Sequence, residues 1–479
     1  MCYSHYNGDP MMKHTQKYRV ASFAIFTLFT LALMFTPSAR LDAATQEAGH
    51  RKPNIILIMA DDVGYECFGA YGSKQYKTPH IDRMAKLGMR FNHCYSQPIC
   101  TPSRIKLMTG LYNARNYAAF SVLRKDQKTI GHYMQEAGYR TAVAGKWQLY
   151  GAEHYSKQFR GKGALPKQSG FDHHCLWQVD KLGSRYHQPL LHIDGVNKQF
   201  KGKTYGPTLT ADHMIKFMAK PSEKPFFIYY AMIIPHSPFL PTPDSKNPKS
   251  KNKQKNFEDM VAYMDKMVGR LVDQAKKQGI ADNTLIMFTG DNGTGKQIMS
   301  KLNGRSIQGG KGKTTDAGTR APLVAYWPGT IKPGQVCDEL VSFDDFLPTV
   351  RDLAGKPLTK QINQAKQAKQ TDSTSQRFQS NIDGQSIVPL LKGETSGARK
   401  WTYCYYCPRP ERTKPVYFIR DKRWKLYDDG RFIDVKNDVL EKSPLSKADL
   451  QGDAKQAYNN LAAALKTLPR KGQSLLKYE

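Results

Sequence analysis

The sequence predicts an α/β protein with a large central, mostly parallel sheet flanked by helices, followed by a smaller C-terminal α+β subdomain. Three observations carry this. The runs IILIMADD (55–62), PFFIYYAMII (225–234) and TLIMFTGDNG (284–293) are apolar without alternation, as strands buried on both faces are. Amphipathic helical stretches lie between such strands, and strand–helix alternation is the signature of a parallel sheet. Beyond a Lys-, Gln-, Ser- and Thr-rich stretch at 356–381, only short strand-like runs and one helical pattern remain.

Length and composition bound the reading. The chain has 479 residues, 40% of them hydrophobic, enough for one large or two unequal domains. A formal net charge of +31 favours anionic partners: nucleic acid, anionic membrane or sulfated polysaccharide. Zinc-finger spacings and RNA-binding motifs are absent, which sets nucleic acid aside. At the N-terminus, Lys13, Lys17 and Arg19 precede an apolar run from Val20 to Phe35 and small residues up to Ala44. That is the order of a cleaved export leader, with a cut near Ala43, and the run is short for a stable membrane span. The expected organisation is a signal peptide at 1–43, a catalytic domain at 44–355, a linker or insertion at 356–381 and a C-terminal subdomain at 382–479. Eight cysteines are spread widely, which argues against a dense disulfide framework. Cys404 and Cys407 read as a local disulfide or as two buried thiols.

Taken in order, the first strand ends on Asp61-Asp62, at the carboxyl edge where open α/β sheets bind ligands. Thr78 to Gly88 reads as a capped helix with a glycine stop, and MRFNHCY (89–95) as a short strand. In QPICTPSRIKLMTG (97–110), Thr101 suits an N-cap and Pro102 the first helical turn. Cys100 then stands beside a helix N-terminus, where the dipole favours negative charge, and Arg104 one turn on can face the same anion. Read alone, such a cysteine is either an activated thiolate or a structural thiol. A helix, a strand and a loop carrying Lys146 follow. Tyr155 to Lys203 reads as irregular, with His173, His174, Trp177, Arg185, Tyr186 and His187 available to line a subsite. A helix near 208–220 leads into the strand that ends before His236. Residues 244–256 read as a solvated insertion before a long helix, and the strand after it ends on Asp291-Asn292. A Gly-rich loop bearing Lys311 and Lys313 then opens on the strand LVAYWPG, and SFDDFLPTVRDLAG closes the domain. PVYFIRD, RWKLYDD and RFIDV read as strands of the C-terminal part, with a helix near 454–467.

Asp61, Asp62, Asp291 and Asn292 all stand at ends of apolar strands that a sheet would bring together. Three carboxylates and an amide suit a hard dication, Ca²⁺ or Mg²⁺.

C-x-P-S-R followed by a short helix and T-G resembles the signature of the type I, formylglycine-dependent sulfatases, an alkaline-phosphatase-like family. The resemblance extends through the TP-H-IDRMAKLG helix, GKW (145–147), PHSP (235–238), GGKG (309–312), WPG-x-I-x-PG and the late LYD…DVKNDVLEKSPL stretch. It implies that a maturation enzyme converts Cys100 to formylglycine, whose hydrate attacks sulfur in line and later expels sulfate. Asp61, Asp62, Asp291, Asn292 and the modified Cys100 would hold Ca²⁺. Lys146, His236 and Lys311 (with Lys313 the competing lysine) would clamp the sulfate, with a protonated His236 or Lys311 serving the leaving oxygen. Arg104 would fix the diol, and Trp177 and Arg185 would contact substrate. One position departs from the family: G-K-W-H-L-G stands here as Gly145-Lys146-Trp147-Gln148-Leu149-Tyr150. Gln148 can hydrogen-bond the diol but cannot act as a base near neutral pH. Charge and export favour a sulfated carbohydrate as substrate. The rival readings are a phosphodiesterase or phosphonate monoester hydrolase of the same superfamily, and a non-catalytic binder of sulfated glycans.

Overall fold

The structure is a computed structural model and describes residues 51–357 and 382–472. The leader at 1–43 lies outside the described residues, as does all but the start of the stretch at 356–381. No described helix is long and apolar enough to cross a membrane.

The large sheet has ten strands. In chain order they are β1 (Asn54–Ala60), β2 (Met89–Tyr95), β3 (Arg140–Lys146), β4 (His173–Trp177), β5 (Leu190–Ile193), β6 (Val196–Gln199), β7 (Phe226–Ala231), β8 (Thr284–Gly290), β11 (Arg320–Tyr326) and β12 (Gln335–Ser342); β9 (Met299–Leu302) and β10 (Arg305–Gln308) form a separate hairpin. Their order across the sheet is β12-β2-β11-β8-β1-β7-β3-β4-β5-β6. From β8 to β4 every pairing is parallel, and the antiparallel strands lie toward the two sides. β1 occupies the centre because NIILIMA can be buried along its whole length. Its alternate residues enter two cores. Ile56 and Ile58 pack with Met260, Met264 and Met214 of the helices Lys253–Lys277 and Gly206–Ala219. Ile55, Leu57 and Met59 pack on the opposite side with Ile105, Met134 and Leu347.

Parallel register determines what meets at the carboxyl edge. Ala60 of β1 pairs with Gly290 of β8, so Asp61 and Asp291 are neighbours across the ladder. Met59 and Gly145 both pair with Ala231, which brings the end of β3, with Lys146, and the chain after β7, with His236, to the same edge. Gly145 is required here: its φ is +98°, and a Cβ would lie 1.8 Å from the Ala231 carbonyl oxygen.

Two stretches differ from the sequence reading. The segment 155–203 is not irregular throughout: HHCLW forms β4 and extends the parallel sheet, and β5–β6 is a hairpin turned at Asp194-Gly195, an Asp-Gly turn signal in plain view. The β9–β10 hairpin, absent from that reading, projects from the loop before Lys311. The C-terminal part is a four-stranded antiparallel sheet, β13 (Thr402–Tyr406), β14 (Val416–Arg420), β15 (Trp424–Tyr427) and β16 (Phe432–Asp434). The helix Gly452–Thr467 covers it through Leu461 and Leu465, and it belongs to the same compact unit as the large sheet. The described cysteines are all free and buried, so Cys404 and Cys407 are two thiols.

Candidate active site

The helix α2 (Cys100–Thr109) starts two residues earlier than the Thr101 cap would set it, with Ile99 as N-cap. Ser103 explains the difference. Its hydroxyl donates to the Ile99 carbonyl at 3.0 Å and accepts the Gln97 N–H at 3.0 Å, which binds the entering chain to the first turn. Thr101 instead accepts the Ser121 N–H at 3.3 Å. Cys100 therefore lies within the first turn, 3% exposed, where unpaired helical N–H groups favour an anion.

Three acidic side chains and one amide converge beside it, all buried: Asp61, Asp62, Asp291 and Asn292. Asp62 has φ 65°, a left-handed conformation that turns the chain sharply after β1. Its N–H donates to Asp291 Oδ1 at 3.0 Å, and Asn292 Nδ2 donates to Asp62 Oδ1 at 2.9 Å. Asn292 Oδ1 is buried without a hydrogen-bond partner. Donor atoms of Asp61, Asp62 and His236 lie within 4.8 Å of one another. Oxygen donors in this number, one of them unpaired, fit a hard dication.

Cations surround the carboxylates. Lys146 Nζ reaches Asp61 Oδ1 at 2.8 Å and Oδ2 at 3.0 Å. Arg185 Nη1 reaches Asp61 Oδ2 at 3.1 Å. Arg104 binds Asp291 Oδ2 at 2.9 Å and the Lys146 carbonyl at 3.1 Å. Lys311 Nζ meets Asp62 Oδ2 at 2.5 Å and His236 Nε2 at 3.0 Å. Burial alone would raise Asp61, but Lys146 foremost, with Arg104 and Arg185, holds its carboxyl well below the usual range. Burial, with Asp61 next to it, pushes Asp291 up to about 7. Burial also pushes His236 down to about 4, against the pull of Asp62 and Asp61. Burial opposes the charge on Lys311, yet Asp62 holds it above the ordinary lysine range.

These facts assign the protons. An ammonium only donates, so His236 Nε2 accepts from Lys311, and Nδ1–H donates to the Ser237 carbonyl at 2.6 Å. The imidazole is neutral and Lys311 carries the proton. Of the two lysines, Lys311 faces the site; Lys313 is exposed.

Two sequence expectations need correction. Arg104 is not open to solvent: it is 1% exposed, its Nη1 is on the Lys146 carbonyl and its Nη2 on Asp291, and only its buried Nε is left without a partner. Trp177 offers no face to a ligand; it is 4% exposed, and the Arg185 guanidinium stacks on it at 3.8 Å. Gln148 stands beside Cys100, with Oε1 3.0 Å from Sγ. His173, His174 and His187 point elsewhere: His174 pairs with His192, His173 lies near Asp194, and His187 contacts the Pro241 carbonyl. Gln178 and Tyr155, which sequence reasoning passed over, join Gln148 in one network. A signal existed: Trp147-Gln148 and Trp177-Gln178 repeat one dipeptide at the ends of the adjacent parallel strands β3 and β4.

The C-terminal sheet is tied to α2. Lys106 Nζ donates to the Tyr403 carbonyl and to Ser342 Oγ, both at 2.9 Å, and pairs with Asp344 at 3.0 Å. Arg399 grips Asp344 and Asp345 from the far side.

Comparison with known proteins agrees with this arrangement. The Sulfatase family model matches residues 53–356, and the model for the C-terminal region of N-sulphoglucosamine sulphohydrolase matches 311–468. Human arylsulfatase A is 31% identical over 79% of this chain and 75% of its own. The crystal structure of Ps i-CgsB in complex with k-i-k-neocarrahexaose superposes with a TM-score of 0.66 and 26% identity, over 89% of this chain and 96% of that one. The phosphonate monoester hydrolase of Agrobacterium radiobacter shares the fold, with a TM-score of 0.63 and 20% identity over 87% of this chain and 95% of that one. The chain belongs to the sulfatase family of the alkaline-phosphatase-like superfamily and is a sulfuric ester hydrolase.

Proposed function

We propose that the protein is an exported sulfatase that hydrolyses sulfate esters of carbohydrates, with formylglycine made from Cys100 and a bound Ca²⁺. The observation that carries the reading is the meeting of a buried Cys100, at a helix N-terminus, with four buried oxygen-bearing side chains and a proton-bearing lysine. The hydrated aldehyde would supply an oxygen nucleophile with an internal exit, which a serine ester lacks. Asp61, Asp62, Asp291 and Asn292 would hold the cation, which would supply charge neutralisation at the sulfate oxygens.

The chain's own groups do the rest. Lys146 and Lys311 place positive charge where sulfate oxygens would gather. Lys311 bears the proton that a leaving alkoxide needs, and the neutral His236 accepts a hydrogen bond from it and keeps it aimed. Arg104 holds Asp291 and the end of β3 in place, and so acts through the metal ligands.

Several features support the carbohydrate assignment: the net charge of +31, the export-type leader, and the oligosaccharide named with Ps i-CgsB. The test is a comparison of sulfate release from sulfated oligosaccharides, an aryl sulfate and an aryl phosphonate, all with protein carrying the aldehyde. Sulfated oligosaccharides should give the highest kcat/KM. Preference for the phosphonate would overturn the reading. N-terminal sequencing of secreted protein should find a start near residue 44.

A further inference from the structure

Gln148 stands where a histidine would be expected, and its partners are unusual. Its Nε2 donates to the Tyr155 hydroxyl oxygen at 3.1 Å, while its Oε1 faces Cys100 Sγ at 3.0 Å. Gln178 Nε2 donates to the same hydroxyl oxygen at 2.8 Å and lies 3.1 Å from His154 Nε2. One phenol oxygen thus accepts from two amides.

We infer that Tyr155 is a positioning residue for the reaction, holding the Gln148 amide so that its oxygen faces residue 100 purely as an acceptor. The inference rests on the formylglycine reading, with Cys100 Sγ marking the place of the diol hydroxyls. A geminal diol offers two equivalent hydroxyls. An acceptor fixed on one side makes them inequivalent: the hydroxyl donating to Gln148 is oriented and held, and the other is left for the cation side. A free amide could rotate and present N–H instead, so something must fix it.

Tyr155 is built to do so. Its N–H donates to the Ala152 carbonyl at 3.0 Å, and its own carbonyl accepts from Arg160 Nε at 2.8 Å. The preceding residue but one, Glu153, donates its N–H to the Asp180 carbonyl at 2.8 Å, which anchors the loop beside β4. The ring is braced by Phe120, with centroids 6.0 Å apart, and by His154 at 4.0 Å. The backbone gives an independent sign. Gln148 and Gln178 both adopt left-handed φ, 55° and 61°, one strand apart, and the Gln148 N–H donates to the Gln178 carbonyl at 3.1 Å. Residues with side chains are held there only when their surroundings over-determine them, and such strain gathers at functional sites.

The experiment compares the full-length, matured protein with Tyr155→Phe, Gln148→Ala and the double variant, using a chromogenic aryl sulfate. Aldehyde content at residue 100 and thermal melting are read on the same samples. Tyr155→Phe removes the acceptor and leaves the ring, so kcat should fall about five- to tenfold with KM within about twofold. In the Gln148→Ala background the same change should cost nothing further, because no amide remains to be aimed. An unchanged kcat with aldehyde present would overturn the inference alone. So would a rise in KM without loss of kcat, which would place Tyr155 on the substrate, or an equal loss in both backgrounds. An active wild-type protein lacking the aldehyde would overturn the formylglycine reading and this inference with it.

Discussion

Lys311 Nζ lies 3.0 Å from His236 Nε2, and the direction of that bond makes Lys311 the proton-bearing partner. Lys311→Met should therefore slow the reaction most where the leaving group is a poor one. An alkyl sulfate should lose about 10²–10⁴-fold in kcat/KM, the usual range for a general acid, and an activated aryl sulfate much less. The check is the dependence of rate on leaving-group basicity, which should steepen in the variant. Equal losses on both substrates would mean that Lys311 only attracts sulfate.

The carboxylate cluster predicts a metal-dependent protein. Asp291→Ala removes one donor and strands Arg104, so bound calcium, read by elemental analysis, should fall together with activity. Chelation of the wild-type protein should lower both activity and melting temperature, because a cation bound only to the folded state stabilises it. Full calcium content in Asp291→Ala would show that the carboxylates serve another purpose.

Gln148 predicts a pH effect. Gln148→His adds a base with an ordinary pKa of about 6.5 beside residue 100. Residue 148 is buried, which disfavours the charged ring, so the kcat profile should gain an ionisation below that value, with the greater rate on its alkaline side, where the imidazole is neutral. A profile identical to wild type would show that residue 148 takes no part in turnover.

His174 offers a test of stability away from the site. Burial, with His192 next to it, pushes its pKa down to about 4 from the model-peptide value of about 6.5. The folded state thus favours the neutral ring, and below pH 6.5 the unfolded chain binds the extra proton. The contribution to stability is whole above pH 6.5 and is lost as pH falls towards 4. At pH 5 the loss is about 2 kcal/mol, from the linkage of proton binding to folding. His174→Gln should shrink the drop in melting temperature between pH 7 and pH 5; an undiminished drop would count against the assignment.

The C-terminal sheet should couple to the active site through Lys106. Asp344→Asn leaves Lys106 and Arg399 short of a buried counter-charge, a change that typically costs about 3–5 kcal/mol. The melting temperature should fall by several degrees, and kcat should fall with it as α2 loses its tether. A melting temperature equal to wild type would remove Asp344 from the list of structural supports.

Much of this was legible in the sequence for a physical reason. Strands such as IILIMADD and TLIMFTGDNG are buried on both faces, so their apolar runs announce themselves, and parallel pairing collects whatever follows them at one edge. Asp61, Asp291, Lys146 and His236 meet for that reason. Other features depend on tertiary pairing and leave weaker traces. HHCLW carries two histidines and does not look like an inner strand, yet β3 recruits it. Thr101 has the chemistry of an N-cap, but Ser103 captures Ile99 and Gln97 first, and the helix begins at Cys100. Arg104 was expected to face an anion from its place one turn into the helix, and Trp177 to meet ligand from its residue type, whereas burial gives the Arg104 Nη groups to Asp291 and the Lys146 carbonyl and packs Trp177 against Arg185. Tyr155 belongs to a loop whose role is set by where Gln148 and Gln178 end their strands.

The most direct test of the account is mass analysis of the peptide bearing residue 100, from active protein made alongside a maturation enzyme. Formylglycine formation predicts a peptide that has lost the sulfur of Cys100, carries an aldehyde trapped by a hydrazide, and rises in proportion to sulfate-releasing activity. Full activity with an unmodified thiol at residue 100, or in Cys100→Ala, would contradict it.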